Sequence, residues 1–258
     1  DIDVVGMVRT RGSLLDNSNF ELRLGEIGCS HELDVSINDV DVIVHTAGRA
    51  HIMKDSSINP IEEFRRINTF GTLQLARLAA ESGVKRFIFL SSIKVNGETT
   101  DFRLPFSVKD TEQPRDAYGI SKHEAEIGLR EIANETDMEI TIIRLPLVYG
   151  PGVKGNFNNL ISIMSLRIPL PLASITNNRR SIVGLDNLIS LIHLCTSHAK
   201  AKNQTFLVSD NFDVSTYGLI TLLGRSIEKP VILFRFPIPL LKVIAKQTYQ
   251  KLLNFDMS

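Results

Sequence analysis

Tyr118 and Lys122 lie four residues apart in a segment rich in helix-forming residues. On a helix this spacing places the two side chains on the same face. A phenol with an ordinary pKa of about 10 is a poor acid or base at neutral pH, but a neighbouring ammonium group stabilises the phenolate and lowers that pKa. The pair therefore indicates a proton-transfer group, Tyr118, tuned by Lys122. A surface tyrosine and a solvated lysine at helical spacing are the alternative interpretation.

Hydroxyl groups at the end of an apolar run support the proton-transfer interpretation. The run Arg86–Leu90 leads directly into Ser91 and Ser92. Open parallel sheets bind ligands beyond the carboxyl ends of their strands. Ser92 is therefore a second candidate catalytic residue, and the alternative is a hydroxyl that merely ends a strand.

The elements that position these residues follow an α/β rhythm. Apolar runs of strand length alternate with segments of helical period, which is typical of βαβ units and a parallel sheet. The predicted strands are Val4–Val8, Val40–His45, Arg86–Leu90 and Glu139–Leu145. The predicted helices lie near residues 60–82, with Gly83 as the stop signal, and near 117–135, 156–167, 186–198 and 215–227. After about residue 150 the sequence becomes richer in Gly, Pro and Asn, which indicates a smaller and less regular region.

Composition excludes several classes of protein. The chain has 258 residues, of which 43% are hydrophobic and 22% charged, and its 29 basic and 29 acidic residues cancel. Balanced charge argues against a nucleic-acid partner, because such binding needs a basic face. No segment approaches the ~18–20 apolar residues of a membrane span, and no signal peptide is recognisable. We therefore expect a cytoplasmic protein without a membrane partner; a membrane-surface role for the apolar stretch Phe236–Leu253 is the alternative.

The cysteines and histidines do not indicate a metal site. Cys29 and Cys195 are too few for a disulfide framework or a cysteine zinc site, and each lies in a mostly apolar run. His45, His51 and His123 have no metal-ligand spacing. We therefore expect buried thiols, structural or exposed histidines, and no metal.

Several motifs, taken in their order along the chain, carry a family resemblance. They are Val-Ile-Val-His-Thr-Ala-Gly at 42–48, Asn-Thr-Phe-Gly-Thr at 68–72, Gly-Val-Lys-Arg-Phe-Ile-Phe-Leu-Ser-Ser at 83–92, Tyr-Gly-Ile-Ser-Lys at 118–122 and Arg-Leu-Pro-Leu-Val-Tyr-Gly-Pro-Gly at 144–152. With them the sequence resembles the NAD-dependent epimerase/dehydratase family of extended short-chain dehydrogenases/reductases, which act on nucleotide sugars. The resemblance implies a Rossmann-type, doubly wound parallel sheet. Residues 1–150 would form the NAD(P)-binding domain and residues 151–258 part of a nucleotide-sugar-binding region.

The resemblance also implies roles for individual residues. Tyr118 would be the acid/base at the sugar, Lys122 would hold the nicotinamide ribose, and Ser92 would bind the same sugar oxygen as Tyr118. The remaining cofactor-binding candidates are Glu26 and Ile27 near adenine, Thr46, Ala47 and Gly48 in a loop along the cofactor, and Asn68 as a prop of the active-site loop. An amide that caps a turn is the alternative role for Asn68.

Charged residues bear on the choice of cofactor and substrate. The first predicted strand runs into Arg9 and Arg11, and an arginine there accommodates the 2′-phosphate of NADP(H). We therefore favour NADP(H) over NAD(H), with a solvated loop as the alternative. The resemblance implies that Asn156, Phe157 and Arg180 bind a UDP-sugar, with Arg180 on the diphosphate. A plain surface salt bridge is the alternative for Arg180.

Departures from the family pattern narrow the function. The family's first strand and Gly-x-x-Gly-x-x-Gly turn have no counterpart in this sequence, which starts in what reads as the second strand, and the C-terminal region is short. We therefore expect a fragment truncated at both ends, without tight cofactor binding or turnover of its own. Ile93 and Lys94 stand where 4,6-dehydratases carry an Asp-Glu pair, which argues against dehydration. Leu147 replaces an asparagine that often contacts the diphosphate.

These observations predict an enzyme that acts at C4 of a nucleotide sugar. The favoured activity is reduction of UDP-4-keto-6-deoxy-N-acetylglucosamine in surface-polysaccharide synthesis. A UDP-glucose or UDP-N-acetylglucosamine 4-epimerase is one alternative, and an inactive Rossmann fragment is the other. The resemblance further suggests a homodimer formed through the helices near 60–82 and 117–135.

Overall fold

The computed structural model describes residues 2–10, 21–28, 33, 35–50, 59–100, 104–152, 156–166, 168–228 and 231–244. The strands are β1 (Val5–Val8), β2 (Glu21–Leu24), β3 (Val42–His45), β4 (Arg86–Ser92), β5 (Glu139–Leu145), β6 (Leu147–Tyr149), β7 (Ile182–Gly184) and β8 (Gln204–Leu207). The α-helices are α1 (Pro60–Phe64), α2 (Thr72–Glu81), α3 (Ala117–Glu135), α4 (Asn156–Ser165), α5 (Leu185–Ser197), α6 (Thr216–Ser226) and α7 (Ile238–Ile244).

The chain divides into two compact units that interleave along the sequence. The first unit contains residues 1–98, 106–144 and 192–207, and the second contains residues 99–105, 145–191 and 208–258. The sequence predicts a single boundary, at residue 150. The difference arises because β8, from beyond that boundary, pairs in parallel with β5 of the first unit.

The first unit is built on parallel strands, as the fold class predicted. One sheet has the strand order β3-β4-β5-β8, and β3 pairs in parallel with β4. Strands β1 and β2 form a separate parallel pair. Within the described residues, β1 and β3 each have one strand partner. Strands β2 and β8 were not predicted, because each is four residues long and half polar.

The core of the first unit lies between the sheet and helices α2 and α3. The phenyl rings of Phe87 and Phe89 on β4 are fully buried. Ala76, Ala79 and Ala125 on the helices are also fully buried, and such small side chains let a helix approach a sheet closely. Apolar burial of this kind is the main favourable contribution to folding.

The predicted helix near 60–82 is present but is interrupted by a π-helical segment, Arg65–Gly71, between α1 and α2. Such segments occur mostly as short insertions in α-helices and are frequent at functional sites. The helix stops where the sequence predicted, at Gly83, whose φ of +81° lies in the left-handed region that glycine adopts without strain.

The second unit contains the parallel pair β6 and β7 and a separate apolar core. Leu160 and Met164 of α4 pack there with Ile220 of α6. Of the apolar stretch Phe236–Leu253, the structure describes the residues up to Ile244, which include α7. Among all described helices, none is long and apolar enough to cross a membrane.

Candidate active site

Strand β4 and helix α3 bring the three candidate catalytic residues into one region of the first unit. Ser92 is the last residue of β4. Tyr118 and Lys122 lie in the first two turns of α3, which begins after Asp116. The Asp116 Oδ1 atom accepts a hydrogen bond of 2.7 Å from the Gly119 backbone N–H, which satisfies a donor that the first turn leaves free. The cap therefore fixes the position from which Tyr118 projects.

The Tyr118 phenol lies in a largely buried environment that raises its pKa. Burial is the largest cause, and the Asp116 carboxylate acts in the same direction. Hydrogen bonding with Ser92 and the charge of Lys94 both lower the pKa, but by less than burial raises it. The sequence predicts that Lys122 lowers this pKa. The net shift in the chain without cofactor is upward, because burial dominates, and the cation that opposes the rise is Lys94.

Lys122 is itself buried, with 4% of its surface exposed. Its Nζ donates a hydrogen bond of 3.0 Å to the Leu90 carbonyl oxygen and lies 4.4 Å from the centroid of the Phe89 ring. Burial lowers the pKa of Lys122 to about 8, against the opposing charge of Glu126. Lys122 therefore occupies the carboxyl end of β4, where a ligand of a parallel sheet would lie.

The loop after β3 passes close to Lys122. A Cβ atom added to Gly48 would lie 3.1 Å from the Asn68 Oδ1 atom and 3.4 Å from the Lys122 Nζ atom. Thr46 and Ala47, on the same loop, are exposed. The glycine thus leaves a narrow space beside a buried ammonium group, and this space fits the close approach of a dinucleotide's ribose to the chain.

Asn68, in the π-helical segment, ties this loop to α3. Its Oδ1 atom accepts a hydrogen bond of 2.7 Å from the Arg49 backbone N–H. Its Nδ2 atom donates bonds of 3.0 Å to the Arg49 carbonyl oxygen and to the Ser121 Oγ atom. The side chain is fully buried, so its contacts are those of a prop for the loop.

His45, at the end of β3, has a structural environment, as the sequence predicted. Its ring is buried, stacks on Phe89 and contacts the Thr72 hydroxyl at 3.0 Å. Burial lowers its pKa to about 3, so the ring is neutral at physiological pH. Cys195 is also buried, whereas Cys29 and His51 lie outside the described residues. No cluster of His, Cys, Asp and Glu suited to a metal ion occurs in the described part of the chain.

Arg9 and Glu26 form a second group, beyond the ends of β1 and β2. Their side chains are 3.9 Å apart at the closest N–O distance and both are largely exposed. Ile27 follows Glu26 and packs partly against the first unit's core. Arg11 lies outside the described residues.

The substrate candidates belong to the second unit. Asn156 and Phe157 are the first two residues of α4, and their side chains lie outside what the structure describes. Arg180 exchanges two backbone hydrogen bonds of 3.0 Å with Val214. The structure therefore gathers Ser92, Tyr118, Lys122, Gly48 and Asn68 in one unit and places the sugar-binding candidates in the other.

Two charged pairs beside the site were not assigned from sequence. Lys94 pairs with Asp116 between β4 and α3, and Arg144 pairs with Glu126 between β5 and α3. Glu126 could have been found, because it lies one helical turn beyond Lys122. Lys94 and Asp116 are 22 positions apart in the sequence, so no local spacing indicates that they form a pair.

Comparisons with known proteins agree with this geometry. The NAD dependent epimerase/dehydratase family matches residues 3–209. A UDP-glucose 4-epimerase of Vibrio cholerae is 46% identical over 240 residues, which are 93% of this chain and 72% of that protein. Across the first three curated relatives, the chain spans 42–72% of their length.

Solved structures share the fold. A UDP-glucuronic acid 4-epimerase from Bacillus cereus, in complex with NAD, superposes with a TM-score of 0.72 at 20% identity. The match covers 90% of this chain and 79% of that protein. RMD from Pseudomonas aeruginosa, complexed with NADPH, has a TM-score of 0.65 at 19% identity over 87% of this chain and 81% of its own. The structural neighbours thus hold NAD or NADPH, the two cofactors expected from the sequence. By the extent of the family match and the identity to its Vibrio cholerae relative, this chain belongs to the NAD-dependent epimerase/dehydratase family, a family of enzymes that act on nucleotide sugars.

Proposed function

We propose that this chain carries the catalytic machinery of a UDP-sugar 4-epimerase. The observation that carries the proposal is the meeting of Ser92, Tyr118 and Lys122 at the carboxyl end of β4. The 46% identity to a protein named UDP-glucose 4-epimerase supports the choice of reaction.

The chemistry needs a proton and a hydride to leave the same alcohol. A bound nicotinamide dinucleotide supplies reversible hydride transfer. Tyr118 takes the proton of the C4 hydroxyl as that carbon is oxidised and returns it as the carbon is reduced. Ser92 would hold the same sugar oxygen, and Lys122, beside Gly48, would hold the ribose of the cofactor. Reduction from the opposite face of the sugar then gives the C4 epimer.

The remaining site residues are assigned by the same proposal. Residues 1–150 contribute the cofactor site, with Thr46, Ala47 and Asn68 along the loop after β3 and Glu26 and Ile27 beside adenine. Residues 151–258 contribute to the sugar-nucleotide site through Asn156, Phe157 and Arg180. A guanidinium suits a diphosphate because it donates two parallel hydrogen bonds.

The test uses the full-length protein of the gene beside the 258-residue chain. Each is incubated with NAD and with UDP-glucose or UDP-N-acetylglucosamine, and the C4 epimers are separated by chromatography. We expect interconversion by the full-length protein and a loss of about 10²–10⁴-fold in kcat for Tyr118→Phe. Tyr217→Phe, which alters an exposed tyrosine on α6, should retain activity. Normal turnover by Tyr118→Phe would refute the catalytic assignment.

A second candidate is a reductase of UDP-4-keto-6-deoxy-N-acetylglucosamine, and Arg9 favours it. Arg9 is largely exposed at the end of β1, where a guanidinium can meet the 2′-phosphate of NADPH. A reductase consumes one NADPH per turnover, whereas an epimerase needs only catalytic NAD. Loss of absorbance from stoichiometric NADPH with the 4-keto sugar therefore identifies the reductase. Absence of both reactions identifies an inactive protein.

Assembly and location complete the proposal. We propose a cytoplasmic homodimer formed through α1, α2 and α3. Phe70 and Ile127, on or beside those helices, are 59% and 44% exposed, and large exposed apolar side chains favour an interface. Light scattering should give a dimer for the protein and a monomer for Ile127→Glu.

A further inference from the structure

An ion pair bridges the two elements that carry Ser92 and Tyr118. Lys94 lies in the 3-10 turn Ile93–Val95 that follows β4, and its Nζ atom is 2.5 Å from the Asp116 Oδ2 atom. Glu98 contributes a longer contact of 3.4 Å to the same ammonium group. Asp116 is the capping residue of α3. The pair therefore joins the end of the catalytic strand to the start of the catalytic helix.

Each partner is also anchored by a backbone contact next to a candidate catalytic side chain. The Lys94 backbone N–H donates to the Ser92 Oγ atom at 3.3 Å. The second carboxylate oxygen of Asp116 accepts the cap bond from Gly119, the residue after Tyr118. The Asp116 carboxylate is therefore held at the start of α3, and the backbone of Lys94 is held beside Ser92.

The two charges act on Tyr118 in opposite directions. Lys94 lowers the pKa of the phenol and Asp116 raises it. The ion pair raises the pKa of Lys94, so this ammonium group stays protonated at neutral pH. Two other cations belong to neighbouring residues: Lys122 lies one turn further along α3, and the Arg49 guanidinium lies 5.5 Å from the centroid of the Phe64 ring. Phe64 in turn makes an edge contact with Tyr118.

We propose that the Lys94–Asp116 pair is a positioning device that joins the end of β4 to the start of α3, holds one positive and one negative charge next to Ser92 and Tyr118, and so biases the ionisation of Tyr118. Lys94 thus adds a positive charge from the turn after β4, in addition to that of Lys122 on α3. The inference rests on the proposed function in one respect, that Tyr118 is the proton-transfer group. It makes Lys94 and Asp116 positioning residues, since they act through Tyr118.

The ionisation of Tyr118 can be measured without substrate or cofactor. The chain has four tyrosines and no tryptophan, so NMR of tyrosine labelled with ¹³C at Cζ gives few resonances, and Tyr118→Phe identifies the one of interest. We expect Lys94→Met to raise the pKa of Tyr118 and Asp116→Asn to lower it. Each shift should be about half a pH unit, since both side chains are partly exposed and water screens them.

The variants are chosen so that the fold survives. Asparagine caps a helix as well as aspartate does, so Asp116→Asn keeps the bond to Gly119. Lys94→Arg keeps the charge and should leave the pKa of Tyr118 close to that of the parent chain. The control variants are Lys85→Met and Asp41→Asn. Each breaks a lysine–aspartate pair of 2.7 Å that lies just before the start of β4, away from Ser92, and neither should change the pKa of Tyr118.

Opposite shifts in Lys94→Met and Asp116→Asn support the proposal, and rescue by Lys94→Arg supports it further. If the pKa of Tyr118 shifts in the same direction in both variants, or in neither, the proposal is overturned. A pair with a structural role alone would change the packing around Tyr118 similarly whichever partner is replaced. Turnover assays of Tyr118→Phe are read separately. Opposite shifts together with normal turnover of Tyr118→Phe would uphold the electrostatic device and reject the proposed function.

Discussion

The Arg144 guanidinium and the Glu126 carboxylate form an ion pair in which neither side chain is exposed. Two hydrogen bonds, of 3.0 and 2.7 Å, join them between β5 and α3. The Ser91 hydroxyl donates to the same carboxylate at 2.5 Å. Arg144 also donates to Asn96 and Glu112. The pair thus connects β5 with the helix that carries Lys122, and the Ser91 bond adds the strand that ends at Ser92.

Removal of Glu126 should be strongly destabilising, because it leaves the buried Arg144 guanidinium with the partly exposed Glu112 in place of its fully buried partner. We expect Glu126→Ala to lower the free energy of unfolding by about 3–5 kcal/mol. Urea denaturation followed by circular dichroism measures this change. Lys85→Ala, which breaks an exposed pair with Asp41, should leave the midpoint almost unchanged. Equal effects of the two substitutions would contradict the structural role of the buried pair.

Lys122 should reduce the stability of the chain without cofactor. Its pKa falls from an ordinary 10.5 to about 8 on folding, so below pH 8 folding buries a charged ammonium group. Lys122→Met removes that cost, and we expect it to raise the free energy of unfolding at pH 7 by roughly 1–3 kcal/mol. Cofactor binding and turnover should be lost in the same variant.

The stability difference between Lys122→Met and the parent chain should depend on pH with a definite sign. Between the folded pKa of about 8 and the unfolded pKa of 10.5, the unfolded chain binds more protons, so the stability of the parent chain rises with pH. The advantage of Lys122→Met should therefore shrink from about pH 7 to about pH 9.5. Thermal melts across this range test it; an advantage that grows with pH would contradict the buried-ammonium account.

Alanine substitutions at two glycines should have different effects, one on cofactor binding and the other on stability. A methyl group at Gly48 would crowd Asn68 and Lys122 at 3.1 and 3.4 Å, so we expect Gly48→Ala to weaken cofactor binding by roughly tenfold while the fold persists. Gly83 has open space around its Cβ position but a φ of +81°. Gly83→Ala should cost about 1–2 kcal/mol of stability and leave cofactor binding unchanged. Calorimetric titration of the full-length variants separates the two effects.

Loss of the Asn68 side chain should loosen the loop after β3. Asn68→Ala leaves the Arg49 backbone N–H and carbonyl without their amide partner, at a cost of about 1–3 kcal/mol. We expect faster hydrogen exchange of the Arg49 amide and weaker cofactor binding. Thr176→Ala, at an exposed position in the second unit, serves as the control. Unchanged protection of the Arg49 amide would show that Asn68 does not hold the loop.

The Arg9–Glu26 pair should decide the choice between NADPH and NADH. Arg9→Ala removes the guanidinium that would meet a 2′-phosphate, so the ratio of NADPH to NADH affinity should fall. Glu26→Gln removes the carboxylate 3.9 Å from Arg9, which would repel that phosphate, so the ratio should rise. Fluorescence titration of the full-length protein with both cofactors gives the ratio. A ratio that neither substitution moves would remove the basis for favouring NADP(H).

Local sequence was sufficient for the elements that carry the candidate catalytic residues. Helix α3 spans residues 117–135 and β5 spans Glu139–Leu145, as their hydrophobic periodicity predicted. Tyr118 and Lys122 share a face because of spacing alone. The parallel α/β class and the family also followed from patterns within short segments, since alternating apolar runs and contiguous motifs need no knowledge of distant contacts.

Only the tertiary structure decided the electrostatics of the site. The pKa of Tyr118 is raised because packing buries the phenol, and the cation that opposes this rise, Lys94, lies far away in the sequence. Glu126 meets Arg144 across the same kind of separation. Strand β8 lies beyond residue 150 in the sequence but belongs to the first unit, because its backbone pairs in parallel with β5. Spacing in the sequence identifies which groups can react, whereas burial and long-range charge set the protonation states in which they do so.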